Sequence, residues 1–249
     1  MLRALALLLL FALPAAAEEV VAGLSQSRIS ITTDFDGSEI LVFGAVKRED
    51  SIVTDPPLEV VIAVAGPSRP ITVRRKSKRL GIWVNTASVE VDAAPSFYAI
   101  ATSGPWSDML SEVEDLRHQV SIRRAIRSVG SPVPGSVDFT DALVRIREDK
   151  GLYQTNIGAV EFNEQTLFNT SIRLPANLTE GEYHARFLLT RGGSVVDIHD
   201  TIIDVRKVGL ERFLFRMSRD NPLAYGLMSL AIAIFAGWAA SAAFRMVRN

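Results

Sequence analysis

The chain contains no cysteine. That removes disulfide frameworks, thiolate-ligated zinc, iron–sulfur clusters and thiol nucleophiles together. Histidine is nearly as scarce: His118, His184 and His199 are the full set, and they lie in different sequence contexts. A metal centre resting on these three alone has too few ligands within reach of one another. There is no GxSxG elbow, no phosphate-binding Walker loop, no HExxH and no GxGxxG fingerprint. These absences predict no catalytic residue, no metal and no cofactor. Net charge is also slight, −1 over 249 residues, which gives no electrostatic reason to expect nucleic acid. Long apolar runs are confined to the ends of the chain, and this excludes a transporter with several spans.

What is present begins with those two ends. Residues 1–17, MLRALALLLLFALPAAA, have a cation at Arg3, an apolar run from Ala4 to Leu13, a breaker at Pro14 and three alanines before Glu18. This is the order of a secretory signal peptide, and its apolar core of about ten residues is too short to span a bilayer. An uncleaved N-terminal anchor is the alternative. At the other end, no charged residue occurs from Asn221 to Phe244. Leu223–Phe244 would make a helix of about 33 Å, long enough to cross a bilayer with modest tilt. Pro222 suits the first helical turn, and Tyr225 and Trp238 lie towards opposite ends of the span, as interfacial aromatics do. Export of the leader would put Glu18 outside the cytoplasm and leave Arg245 and Arg248 inside.

Ala233, Gly237, Ala240 and Ser241, with Ala236, recur at three- and four-residue spacing along this span. Such a small-residue face lets a second helix approach closely, either that of a membrane partner or that of another copy. Before the span, Leu210, Phe213, Leu214 and Met217 share a stripe, with Arg212, Arg216 and Arg219 on the remaining surface. A basic amphipathic helix over 207–220 is expected to lie along the membrane or to pack on the domain.

The exported stretch, Glu18 to Asp220, holds all 28 acids and 24 of the 27 bases. Its first third predicts short strands at Ser27–Thr33, Glu39–Val46, Leu58–Ala65, Ile71–Arg74, Leu80–Val84 and Phe97–Thr102. Each is rich in valine and isoleucine and bounded by turn formers. The last third predicts Ala159–Phe162, Leu167–Leu174, Glu182–Thr190 and Ser194–Val205, the last two joined by a Gly192-Gly193 hairpin. In that register Arg186 stands opposite His199, and a bulge near Asp200–Ile202 would restore one buried face. Strands at roughly ten-residue intervals point to a mainly β, immunoglobulin-like sandwich, with two small sandwiches as the alternative.

The middle, about 104–150, reads as a helical insertion. Trp106, Met109, Leu110, Val113 and Leu116 form one stripe after Pro105, a break is expected near His118–Ser121, and a further helix runs from Asp138 to a stop at Gly151. The predicted organisation is therefore a leader over 1–17, a sandwich domain over 18–206, a juxtamembrane helix over 207–220, a span over 222–244 and a tail over 245–249.

Three features invite a chemical reading. Arg74, Arg75, Lys76, Lys78 and Arg79 put five cations in six residues, able to meet lipid headgroups, an anionic ligand or an acidic partner; a solvated loop between strands is the plain alternative. Arg123, Arg124 and Arg127 could join them in an anion site. Asp108, Glu112 and Asp115 are the carboxylates a hydrolase would use, although the stripe places them on a polar face. Asp34, Asp36 and Glu39 around Gly37 lack the spacing of a calcium loop and read as a longer connection between strands, with a weak cation site as the alternative. The sequons at Asn169 and Asn177 matter only in a eukaryotic secretory pathway.

The leader, the DFDGSEILVFGAV stretch, the GPWSDMLSEVEDLR helix, LPANLTEGEYHARFLLTRGG and the single C-terminal span together resemble a family of transmembrane proteins of alphaproteobacteria. The likeness covers nearly the whole mature chain, and its motifs are structural, so it carries over no catalytic residue. It implies a bacterial inner-membrane protein with one span, its large domain in the periplasm and its C-terminus in the cytoplasm. It also implies an accessory role beside an anion (sulfite-type) permease. From the residues and the resemblance together, the expected function is non-enzymatic and acts through protein contacts. The alternative is a periplasmic solute-binding module using residues 74–79.

Overall fold

A computed structural model describes residues 18–32, 35–48, 51–128, 136–207 and 209–247. The leader over 1–17, Asp34, the breaker at 131–135 and the last two residues of the tail lie outside these residues. Among the described residues the elements run β1 (Glu19–Leu24), β2 (Arg28–Ile31), β3 (Gly37–Lys47), β4 (Leu58–Ala65), β5 (Ser68–Arg79), β6 (Ile82–Pro95) and β7 (Tyr98–Thr102). Four helices follow: α1 (Trp106–Met109), α2 (Glu112–His118), α3 (Ile122–Ala125) and α4 (Ser136–Asp149). Then come β8 (Tyr153–Asn156), β9 (Glu161–Asn163), β10 (Leu167–Pro175), β11 (Gly181–Arg191), β12 (Ser194–Lys207), α5 (Leu210–Asp220) and α6 (Pro222–Val247). The chain divides into two units: one of residues 1–29 and 35–205, with the β5–β6 hairpin, α1–α4 and nearly all of both sheets, and one of residues 30–34 and 206–249, with α5 and α6.

The protein is mainly β with a C-terminal apolar helix. A four-stranded sheet has the order β1-β3-β10-β9, a six-stranded sheet the order β2-β12-β11-β4-β7-β8, and β5 and β6 pair with each other alone. On β3 the residues alternate, Ile40, Val42 and Val46 buried and Leu41 and Phe43 exposed, which is the pattern of a strand with one wet face. β4 lies between β11 and β7 and buries Val60 to Val64 without a break. A strand covered on both faces has no polar alternation to show. The sheets meet where Phe168 of β10 sits 6.1 Å from Phe187 of β11, ring centroid to centroid, both rings buried.

The helical insertion has a topological cause. β7 and β8 pair in parallel, Tyr98 beside Tyr153. Parallel neighbours cannot be joined by a tight turn and need a crossover of a dozen or more residues. Helices α1 to α4 lie in sequence between those strands and form it. Side chains stitch the crossover to the sheet: Arg186 Nη1 donates to the His118 carbonyl at 2.7 Å, and Tyr98 Oη donates to the Val120 carbonyl at 2.7 Å.

The structure corrects three expectations. The stripe over 106–116 is not one helix face: Leu110 and Ser111 separate α1 from α2, Ser111 caps α2, and Val113 and Leu116 are exposed while Glu114 and Asp115 are buried. Hydrogen bonding outweighs apolar periodicity there, because the Asp115 carboxylate accepts from the backbone of Val120 at 3.2 Å and of Ser121 at 2.7 Å. The bulge lies at Val196 instead of Asp200–Ile202, since the register steps from Leu189 opposite Asp197 to Thr190 opposite Val195. Arg186 therefore pairs with Asp200, and Phe187 takes His199. Third, Arg74–Arg79 is no loop: it is the end of β5, and the turn falls at Leu80-Gly81.

Candidate functional site

The β5–β6 hairpin divides the basic run between two faces. Paired residues share a face, so Arg74 with Ser88, Lys76 with Asn85 and Lys78 with Trp83 form one surface, while Arg75 with Ala87, Ser77 with Val84 and Arg79 with Ile82 form the other. Near the root Val89 and Val91 are buried. Farther out, Arg75 lies 4.7 Å over the ring of Phe139 and reaches Asp138 Oδ2 at 3.3 Å, which ties the strand to α4. Arg74, Lys76 and Lys78 make an exposed ladder on the opposite face.

The turn itself was not singled out by its sequence. Leu80 has φ +50° and Gly81 φ +86°, the positive values that a two-residue hairpin turn demands. Leu80 is fully exposed, and beside it Ile82 and Trp83 keep 65% and 67% of their surface in solvent. The only sequence signal was the string RLGIW, in which apolar residues flank a glycine where turn formers are expected.

A concavity of about 580 Å³ lies in the crossover and is lined by residues that include Trp106, Glu112, Asp115, Arg123, Arg124 and Asp141. Its charges are matched internally. Arg123 Nη2 meets Asp141 Oδ1 at 2.8 Å, and Arg124 Nη2 meets Glu112 Oε2 at 3.8 Å. Arg127 exchanges backbone hydrogen bonds with Ala93 at 2.8 and 3.1 Å. Asp108 accepts from Ser107 at 2.8 Å, while Asp115 holds two backbone amides. The three carboxylates Asp108, Glu112 and Asp115 are thus engaged separately.

The histidines stand apart. His118 Nε2 lies 3.3 Å from Glu114, which also receives Arg117 at 2.6 Å; His184 pairs with Ile202; His199 packs 6.0 Å from the Phe187 ring centroid. Among the described residues no three His, Asp or Glu side chains gather to hold a metal.

Two phenols are strongly perturbed. Burial pushes Tyr98 up to about 12, opposed by the nearby Arg186, and pushes Tyr153 up to about 12, opposed by Arg147. Tyr183 is raised too, chiefly by burial, and its hydroxyl donates to the Thr179 carbonyl at 2.9 Å. Neutral, hydrogen-bonded phenols of this kind are structural pins. Another pin not anticipated from sequence is Glu18, whose carboxylate meets Arg191 Nη2 at 2.9 Å and Arg48 Nε at 3.5 Å with all three side chains largely buried.

In the second unit, Pro222–Ser241 is one helical stretch of 20 residues, long and apolar enough to cross a membrane, with none of it buried. Ala233, Ala236, Gly237, Ala240 and Ser241 are exposed along it, and a Cβ added at Gly237 or at Gly226 would meet nothing within 4 Å. The rings of Phe235 and Trp238 lie 6.1 Å apart, centroid to centroid, tilted by 38°. On α5, Arg219 lies 6.0 Å over the Phe215 ring.

A family model described as "Putative transmembrane protein (Alph_Pro_TM)" matches residues 19–246. No curated protein matches the chain.

Proposed function

The chain belongs to this transmembrane family, and from that premise we propose that it is a non-enzymatic, membrane-anchored periplasmic protein that works through contacts with a membrane partner. The observation that carries the reading is the span: the helix over Pro222–Ser241 is long and apolar enough to cross a membrane, and no residue of it is buried. Lipid and a neighbouring helix are its natural cover, and the face of Ala233, Gly237, Ala240 and Ser241 suits the helix. Around the crossover concavity Arg123 and Arg124 pair with Asp141 and Glu112, and Asp115 holds two backbone amides, which favours an interaction module over a hydrolase built on those carboxylates. Tyr183, bonded back to Thr179 at the start of β11, supports an immunoglobulin-like sandwich, where a tyrosine corner has this form.

Export by a leader over 1–17, residence in the inner membrane and a cytoplasmic tail complete the reading. An anion (sulfite-type) permease is the partner that the family resemblance suggests. A photo-crosslinker placed at Gly237 in intact membranes tests it. Crosslinking to one membrane protein other than itself is expected. Self-crosslinks alone would replace the accessory role with a homo-oligomeric scaffold, and no crosslink at all would remove the helix-packing reading.

A further inference from the structure

The hairpin arm has a chemistry of its own. Beyond the paired Val73 and Val89 it carries five cations and no acid. Arg75 is the cation held back against α4. Beyond it the five residues to Leu80 carry the tip about 17 Å farther, at roughly 3.3 Å per residue. The tip ends in Leu80, Ile82 and Trp83, all exposed, with Lys78 beside Trp83 and Arg79 beside Ile82. In water this arrangement has no advantage. A turn with positive φ at both positions favours Asn-Gly, and a leucine there bears the left-handed strain while leaving its side chain fully hydrated.

We infer that the β5–β6 tip docks on the anionic headgroups of a lipid bilayer, with Leu80, Ile82 and Trp83 entering the interface and Arg74, Lys76, Lys78 and Arg79 meeting the phosphates. Tryptophan prefers the headgroup level, and lysine and arginine keep their charge in water while their stems lie in apolar surroundings. Charge complementarity points the same way, because each cation near an anionic surface is worth about fivefold in binding. A free anion would need the cations to converge. Here Arg74, Lys76 and Lys78 recur on one strand face about every 7 Å, an open ladder that meets several headgroups better than the oxygens of one ion. The chain's own span keeps a bilayer at hand whatever protein partner it has, so this inference stands apart from the partner proposed above.

The absence of cysteine makes the test direct. Leu80→Cys in the full chain gives a single thiol for an environment-sensitive fluorophore, with Asn177→Cys as a second exposed position for comparison. Each labelled protein is reconstituted into phosphatidylcholine vesicles with or without phosphatidylglycerol and a nitroxide-bearing lipid. The label at 80 is expected to be quenched severalfold more in the phosphatidylglycerol vesicles, and the label at 177 in neither. Raised salt should reverse the quenching as the Debye length shrinks from ~10 Å towards ~3 Å. Arg74→Gln, Lys76→Gln and Lys78→Gln combined should weaken docking on the order of a hundredfold.

A label in water in both vesicles overturns the inference, and so does equal quenching in both compositions. A response to millimolar sulfate in phosphatidylcholine alone would assign the ladder to a free anion instead. Self-quenching between labels without lipid quenching would assign the tip to a second copy.

Discussion

Arg186 on β11 donates its Nη1 to the carbonyl of His118, 2.7 Å away and 68 residues distant in sequence. That carbonyl is the last of α2, just before Gln119 turns into the left-handed region at φ +51°. One side chain of the six-stranded sheet thus closes the C-terminal end of a helix in the crossover. Arg186→Met should leave the carbonyl without its donor and cost about 1–3 kcal/mol. Denaturant titration reads the loss, and hydrogen exchange should rise first in residues 111–121.

Asp115 performs the reciprocal task with its carboxylate. Its Oδ1 accepts from both Val120 and Ser121. Asp115→Ala should cost about 1–3 kcal/mol for each buried amide left unpaired, whereas Asp115→Asn keeps an acceptor and should cost less. Equal losses for the two substitutions would mean that the carboxylate oxygen is not the anchor of this loop.

Tyr98 and Tyr153 set the alkaline limit of the fold. Both are raised to about 12 from an ordinary value near 10. Below about pH 10 both states keep the proton, and the stabilisation is fully present. Between about pH 10 and 12 the unfolded chain loses protons that the folded one retains, so stability falls as pH rises, by roughly 2–3 kcal/mol for each phenol. Tyrosinate absorbance should therefore lag in the folded protein and appear together with loss of the near-ultraviolet circular dichroism. Free titration of all phenols at ordinary values without unfolding would contradict this.

Gly44 has no room for a methyl group. A Cβ there would meet the ring of Phe168 and come within 2.7 Å of the Val21 carbonyl. Phe168 is the cross-strand partner of Gly44 and the ring that meets Phe187 between the sheets. Gly44→Ala should thus be destabilising by about 1–3 kcal/mol, as overpacked cores are. Adding Phe168→Leu should recover part of the loss, and a double-mutant cycle on thermal midpoints would show the coupling.

Legibility in the sequence followed the number of forces acting at each place. β4 was readable to the residue, because after Glu59 the run Val60–Ala65 is unbroken apolar sequence, with Pro57 before the strand and Gly66 after it. Gly192 and Gly193 were readable as a turn, and their φ values are +55° and +78°. Arg74–Arg79 was not readable as strand, since both of its faces meet solvent and no period of two survives. Val113 and Leu116 misled, because the Asp115 carboxylate accepts from the backbone of Val120 and Ser121, a role that no apolar side chain could fill. The cations of the arm were visible in sequence, whereas Leu80, Ile82 and Trp83 gained meaning only once the turn placed them at its tip. The register near His199 slipped by one residue because the bulge at Val196 leaves no mark in the apolar pattern.

The central claim is that one helix crosses the membrane and leaves the β domain on the exported side. Cysteine scanning in spheroplasts with a membrane-impermeant maleimide tests it on a chain that has no thiol of its own. With Asn177→Cys the reagent should label intact spheroplasts, and with Asn249→Cys it should label only after permeabilisation. Labelling of both positions in intact spheroplasts would mean no crossing, and the reverse pattern would place the domain in the cytoplasm; either contradicts the account.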